Sequence, residues 1–210
     1  MMKKTILSAA IVTLLAAPAL AGHEAGDFIV RTGVIQVAPD ESSGDVLGLG
    51  ELSVDEDTQV GLNFTYMLTS NWAVEVLAAT PFSHDVSVAG MDVAEVTHLP
   101  PTVMAQYYFG QGKFRPYVGA GVNYTLFWDE EFNGTGKSLE LSDLELDNSV
   151  GLAAQIGIDY EINNDWLVNA SIWYIDIGTD VDFKAGGESV DSISLDIDPW
   201  VYMVSVGYSF

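Results

Sequence analysis

Apolar side chains recur at every second position through long stretches of this chain. That repeat places alternate residues on opposite faces of a β-strand. From Thr58 to Thr69, Val60, Leu62, Phe64, Tyr66 and Leu68 share one face, and Gly61, Asn63, Thr65 and Met67 share the other. From Arg115 to Trp128, Pro116, Val118, Ala120, Val122, Tyr124, Leu126 and Trp128 oppose Tyr117, Gly119, Gly121, Asn123 and Thr125. The same period marks Gly26–Ala38, Trp72–Phe82, His98–Phe109, Asn148–Ile162, Trp166–Phe183 and Ser192–Phe210, which makes eight predicted strands. Pro100-Pro101 falls near the start of one of them. Proline has no N–H to give a ladder, so the pair predicts a strand end or bulge.

The connections alternate in length. Ser70-Asn71, Gly110–Phe114 and Asn163–Asp165 are short, whereas Pro39–Asp57, Ser83–Thr97, Asp129–Asp147 and Lys184–Asp191 are long and mostly acidic. Short turns at one end and long loops at the other are the asymmetry of an outer-membrane barrel. Aromatic residues (Tyr66, Trp72, Tyr124, Trp128, Tyr160, Trp166, Trp200, Tyr208) sit near strand ends, as an interfacial girdle does. A soluble eight-stranded barrel would carry charge along its outer faces. Here charge is concentrated in the loops. The expected fold is therefore all-β, an eight-stranded antiparallel transmembrane β-barrel. In hydrocarbon every backbone group must be paired, so the eighth strand has to close against the first.

Composition refines this picture. Met1 to Ala21 has Lys3 and Lys4, an apolar run from Ile6 to Leu15, and a small-residue Ala19-Leu20-Ala21 end. These are the parts of a secretory signal peptide, expected to leave residues 22–210 as one barrel domain. The remainder keeps five Lys and Arg against 30 Asp and Glu, a formal charge of −25. Such a surface does not suit nucleic acid, which needs cationic side chains for its phosphates. There is no cysteine, which excludes disulfides and thiol chemistry.

The motifs for chemistry are sparse. Ser83-His84-Asp85 holds the residue types of a hydrolytic triad, but neighbours on a strand point apart, so no enzyme is expected. His23, His84 and His98 lie far from one another in sequence and are read as dispersed, with no metal and no cofactor implied. Asp129, Glu130, Glu131, Asp143, Glu145, Asp176, Asp180, Asp182, Asp196 and Asp198 supply oxygen donors for divalent cations that could bridge to lipopolysaccharide. A plainly solvated acidic surface is the alternative.

Several stretches resemble the outer membrane protein W family. They are His23-Glu24-Ala25-Gly26, Leu77-Ala78-Ala79-Thr80-Pro81-Phe82, His98-Leu99-Pro100-Pro101-Thr102, Gln106-Tyr107-Tyr108-Phe109, the run from Arg115 to Thr125, and Asp198 to Phe210. The outer loops depart from the family pattern in being more acidic. The resemblance implies a narrow apolar lumen that passes small hydrophobic molecules, with sideways exit into the membrane for which Pro100 and Pro101 could open a gap. It implies an apolar gate of one Leu and one Trp, here Leu77 and Trp173. Strand parity gives both an inward direction independently: lipid-facing Trp72, Val74 and Val76 turn Leu77 inward, and lipid-facing Val168, Ala170 and Ile172 turn Trp173 inward. The last strand, through Tyr202, Val204, Val206, Tyr208 and the terminal Phe210, resembles the signal read by the outer-membrane assembly machinery. The expected surroundings are outer-membrane lipid and lipopolysaccharide of a Gram-negative cell. The competing reading is a structural or receptor barrel with a plugged lumen and no transport.

Overall fold

The computed structural model describes residues 23–110, 112–190 and 192–210, so the expected signal peptide lies outside the described residues. Among the described residues eight strands close into a barrel: β1 Phe28–Ala38, β2 Asp57–Met67, β3 Trp72–Ala79, β4 Thr102–Tyr108, β5 Phe114–Phe132, β6 Ser149–Glu161, β7 Trp166–Ile175 and β8 Trp200–Ser209. Each pairs antiparallel with its neighbours in sequence. The ring is shut by β1 and β8, in register from Ile29↔Ser209 to Ala38↔Trp200. At that seam the backbones run unusually close. A Cβ on Gly33 would overlap the Val204 carbonyl oxygen, so glycine is what lets the seam close.

The period-two pattern sorts side chains as the two solvents demand. Leu152 is 70% exposed and Val204 69%, and Val34, Val60, Val122 and Val150 are exposed with them. An apolar belt of this kind is a lipid-facing surface. It ends in cross-strand aromatic pairs. Trp166 and Tyr208 stand 5.1 Å apart at the short-turn end, and Tyr174 and Trp200 stand 5.3 Å apart at the other.

The first turn is wider than expected. Leu68 to Asn71 connect β2 to β3, with the Leu68 and Thr69 amides both donating to the Trp72 carbonyl. The larger differences are at the opposite end, where the long connections are folded. Ser83–Thr97 is a β-hairpin, Phe82–Val88 against Met91–Leu99, turning on Ala89 and Gly90 with φ of 51° and 74°. Positive φ at both turn positions suits the twist of a hairpin. Leu52–Val54 adds a third strand to it. In Asp129–Asp147, β5 continues to Phe132, a five-residue helix follows at Gly134–Ser138, and Leu141–Leu146 forms a strand. Asn133 caps that helix, its side-chain oxygen accepting from the amides of Thr135 and Gly136.

The predicted seventh and eighth strands are each broken in two. Gly178–Ala185 and Ile193–Asp196 leave the barrel and pair with each other. Leu141–Leu146, Ser42–Ser43 and Glu188–Ser189 complete this separate small sheet. Pro199, which cannot donate, and Asp198 at positive φ mark one break.

Candidate functional site

The barrel interior has two layers. The layer toward the short turns is polar. Arg31 on β1 is fully buried, and all five of its N–H donors have partners. Nη1 donates to Asn63 Oδ1 (3.1 Å) and Thr65 Oγ1 (2.6 Å), Nη2 to Tyr108 Oη (3.0 Å) and Asp159 Oδ2, and Nε to Asp159 Oδ1 (3.3 Å). Asp159 also accepts from Asn169 Nδ2 at 2.7 Å, and His23 Nε2 lies 3.3 Å from its Oδ2. Glu75, inward on β3, accepts from Gln106 and Gln155 and lies 4.0 Å from Arg31. Such a network is tolerable in a low-dielectric interior only because each charge is paired and hydrogen-bonded. It forms a solid polar floor.

Directly above it along the strands the interior turns apolar. Leu77 follows Glu75 by two residues on β3, and Trp173 lies above Asn169 and Ser171 on β7. Leu77 is 3% exposed and Trp173 is fully buried. Both belong to one continuous apolar cluster with Ile35, Met104, Val201 and Met203. The Trp173 Nε1 has no hydrogen-bond partner among the described residues. The cluster continues upward into a hollow between the outer hairpin and the small outer sheet, lined by residues such as Val86, Val96, Phe132, Phe183 and Leu195. Its free volume is about 40 Å³. Ligand pockets for drug-sized molecules run from about 300 Å³ upward, so a solute passing here must displace side chains.

The barrel wall has one interruption near this level. The β3–β4 ladder runs from Trp72↔Tyr107 to Leu77↔Thr102 and then stops. Pairing resumes at Phe82↔His98, in the hairpin. Between the two lie Ala78 to Pro81 on one side and Leu99 to Pro101 on the other. Pro100 and Pro101 have no N–H to offer across it. Their carbonyls are engaged locally: Pro100 accepts from Thr102 Oγ1 (3.0 Å), and Pro101 from the Tyr124 amide on β5 (3.0 Å).

Of the last-strand residues, Tyr202, Val204 and Val206 face lipid, and Phe210 is exposed. Its backbone bonds both ways with Phe28, and its ring lies 4.7 Å from that of Tyr208. Ser83 and Asp85 face away from the buried His84, which separates the three side chains of that tripeptide. The acidic loop residues are scattered. Among the described residues no group of three or more metal-donor side chains comes together, and Asp143 pairs with Lys184 at 2.8 Å. That contact, an exposed hydrogen-bonded pair, raises the Lys184 ammonium above its ordinary value.

Two features differ from the sequence reading. His23, for which the sequence offered no partner, is buried against Asp159. The histidines are not all dispersed: the outer hairpin brings the His84 and His98 rings to 4.9 Å. Arg31, Glu75 and Asp159 are all buried inside the barrel. Their mutual pairing depends on closure across strands distant in sequence.

A family model described as OmpW family matches residues 24–210. The chain belongs to the OmpW family. It is 55% identical to outer membrane protein W of Escherichia coli K12 and 50% identical to that of Vibrio cholerae O1, with all of each chain covered in both cases. The crystal structure of the outer membrane protein OprG from Pseudomonas aeruginosa superposes with a TM-score of 0.84 at 44% identity, covering 90% of this chain and 98% of OprG. Membership places the barrel in the outer membrane of a Gram-negative bacterium, with its short turns toward the periplasm and its folded loops outside. The two-layered lumen is thus apolar on the outer side and polar at the periplasmic floor.

Proposed function

We propose that the protein is a narrow channel for small hydrophobic molecules, which enter the outer apolar hollow, pass the Leu77–Trp173 level and leave sideways into the membrane at Pro100-Pro101. The observation that supports this reading is the order of the layers. An apolar path ends on a buried ionic floor, and the wall beside that path carries a stretch without ladder hydrogen bonds. A greasy solute gains nothing by continuing into the Arg31–Asp159 network, since that would separate charges at a cost of several kcal/mol per ion. The lipid is the favourable exit. The competing reading, a plugged barrel serving as structure or receptor, draws on the small free volume of the outer hollow.

Liposomes carrying the protein discriminate the two. Faster uptake of a small apolar dye than by empty liposomes is the expected result, and equal uptake identifies a plugged barrel. Replacing both Pro100 and Pro101 by Val restores two N–H donors to the interrupted stretch. The pair is expected to lower uptake with little change in ion conductance. Uptake that is undiminished in this variant would remove the sideways route.

A further inference from the structure

The hairpin Phe82–Leu99 carries a pair of imidazoles that the transport reading leaves unused. His84 and His98 sit on its inward face, diagonal across the ladder, because Phe82 pairs with His98 and His84 with Val96. His84 is 3% and His98 2% exposed. Their ring centres are 4.9 Å apart with planes inclined at 35°. Phe82 and Phe127 pack against His98 on its other sides, at 5.6 and 5.8 Å. Burial lowers both imidazoles, that of His98 to about 3 with the neighbouring His84 adding to the effect, so both rings are neutral at ordinary pH.

Neither Nε2 has a hydrogen-bond partner among the described residues, although both are buried. For His84 the proton can be assigned. Its Nδ1 contacts the Asp55 backbone carbonyl, which can only accept, so Nδ1 carries the hydrogen. The Nε2 of His84 is therefore a bare lone pair. A ring that donates its other N–H to a backbone carbonyl is oriented and made more basic, as metal-ligating histidines generally are. An orphaned polar atom in an apolar setting costs about 1–3 kcal/mol, and here two adjacent rings carry one each.

We propose that His84 and His98 form a two-imidazole site for a late first-row transition-metal ion, of the Zn²⁺ or Cu²⁺ class, completed by water. The ring spacing fits a bent pair of ligands. An ion about 2.0–2.1 Å from each Nε2 lies about 3.2 Å from each ring centre, so bond angles of about 90° to 109° put the centres about 4.5 to 5.2 Å apart. The observed 4.9 Å falls inside that interval. A linear two-coordinate ion would need about 6.4 Å by the same construction. Imidazole nitrogen selects this class of ion over Ca²⁺ and Mg²⁺, which take oxygen. The site lies on the same hairpin face as Val86 and Val96 of the outer hollow, and Phe82↔His98 is the first pair above the Pro100-Pro101 interruption. A bound ion would fasten the upper lip of that interruption.

The test uses the full chain, folded in detergent at neutral pH, titrated calorimetrically with Zn²⁺ and with Cu²⁺. The single variants His84→Phe and His98→Phe keep a ring for packing and remove the lone pair. His23→Phe is the control. One ion per chain is expected, weakened at least tenfold by either hairpin substitution and unchanged by the control, with two-nitrogen superhyperfine splitting in the Cu²⁺ EPR spectrum. Retention of the barrel is checked by heat-dependent electrophoretic migration. No saturable binding by the wild type would overturn the proposal. So would binding that survives either hairpin substitution, or binding displaced by millimolar Ca²⁺, which would assign it to loop carboxylates.

Discussion

Replacing Trp173 by Ala separates a gate from a plug, because the two roles predict opposite balances of stability and solute uptake. The indole is fully buried on β7, and its Nε1 lacks a partner among the described residues, so truncation breaks no hydrogen bond there. It frees about 140 Å³. Truncating a buried Trp to Ala costs about 3–5 kcal/mol, the lost transfer free energy plus about 24 cal/mol per Å³ of unrelaxed cavity. That full cost applies if the space stays dry. If Trp173 closes a continuous path, water enters instead. The freed volume holds about four or five molecules at about 30 Å³ each, which offsets part of the loss and widens the way for a solute. Dye uptake by liposomes carrying the protein, paired with urea unfolding in one detergent, measures both quantities. The expected outcome is clearly faster uptake than by the wild type with a stability loss below about 3 kcal/mol. Uptake equal to wild type, together with the full loss, would refute a constriction at this level and make Trp173 a packing residue.

Other substitutions probe the floor and the last strand. Arg31→Leu leaves Asp159 buried without its cation, and should cost about 3–5 kcal/mol in urea unfolding, with a leakier periplasmic end in bilayer recordings; a loss below about 1 kcal/mol would mean the floor is open to water. Phe210→Ser should lower the amount of folded protein recovered from outer membranes while leaving uptake per inserted molecule unchanged. Normal outer-membrane levels would contradict a role for that ring in assembly.

The barrel was legible in the sequence because lipid imposes an uninterrupted apolar face. Val60 to Leu68 and Val118 to Leu126 read as strands without any knowledge of their partners. Directions were legible too: parity turned Leu77 and Trp173 inward, which is where their side chains lie. Pairing was not. Arg31 and Asp159 meet through the register of β1, β8, β7 and β6, which no local window contains. The folded outer loops were hidden for a different reason. In Phe82–Leu99 a bulge between Val86 and Ser87 breaks the alternation, and water on the outer surface lets polar residues such as Ser83, Asp85 and Asp92 face out from a strand. Without a lipid side the pattern loses its contrast. His84 and His98 therefore seemed remote, although the Ala89-Gly90 turn folds one back onto the other.

The seam between β1 and β8 also bears on the history of the molecule before it reaches the membrane. Ile29 finds its partner in Ser209 only after nearly the whole described chain has been made. No smaller set of strands can satisfy every backbone group in hydrocarbon, so the barrel cannot be assembled piecemeal in lipid. Ladders that join distant segments form slowly. The chain therefore travels unfolded, with a future lipid-facing surface open to every other copy. A formal net charge of −23 repels those copies during transit, when aggregation is the chief hazard. The acidity of the outer loops thus serves a chain in passage as well as the finished barrel.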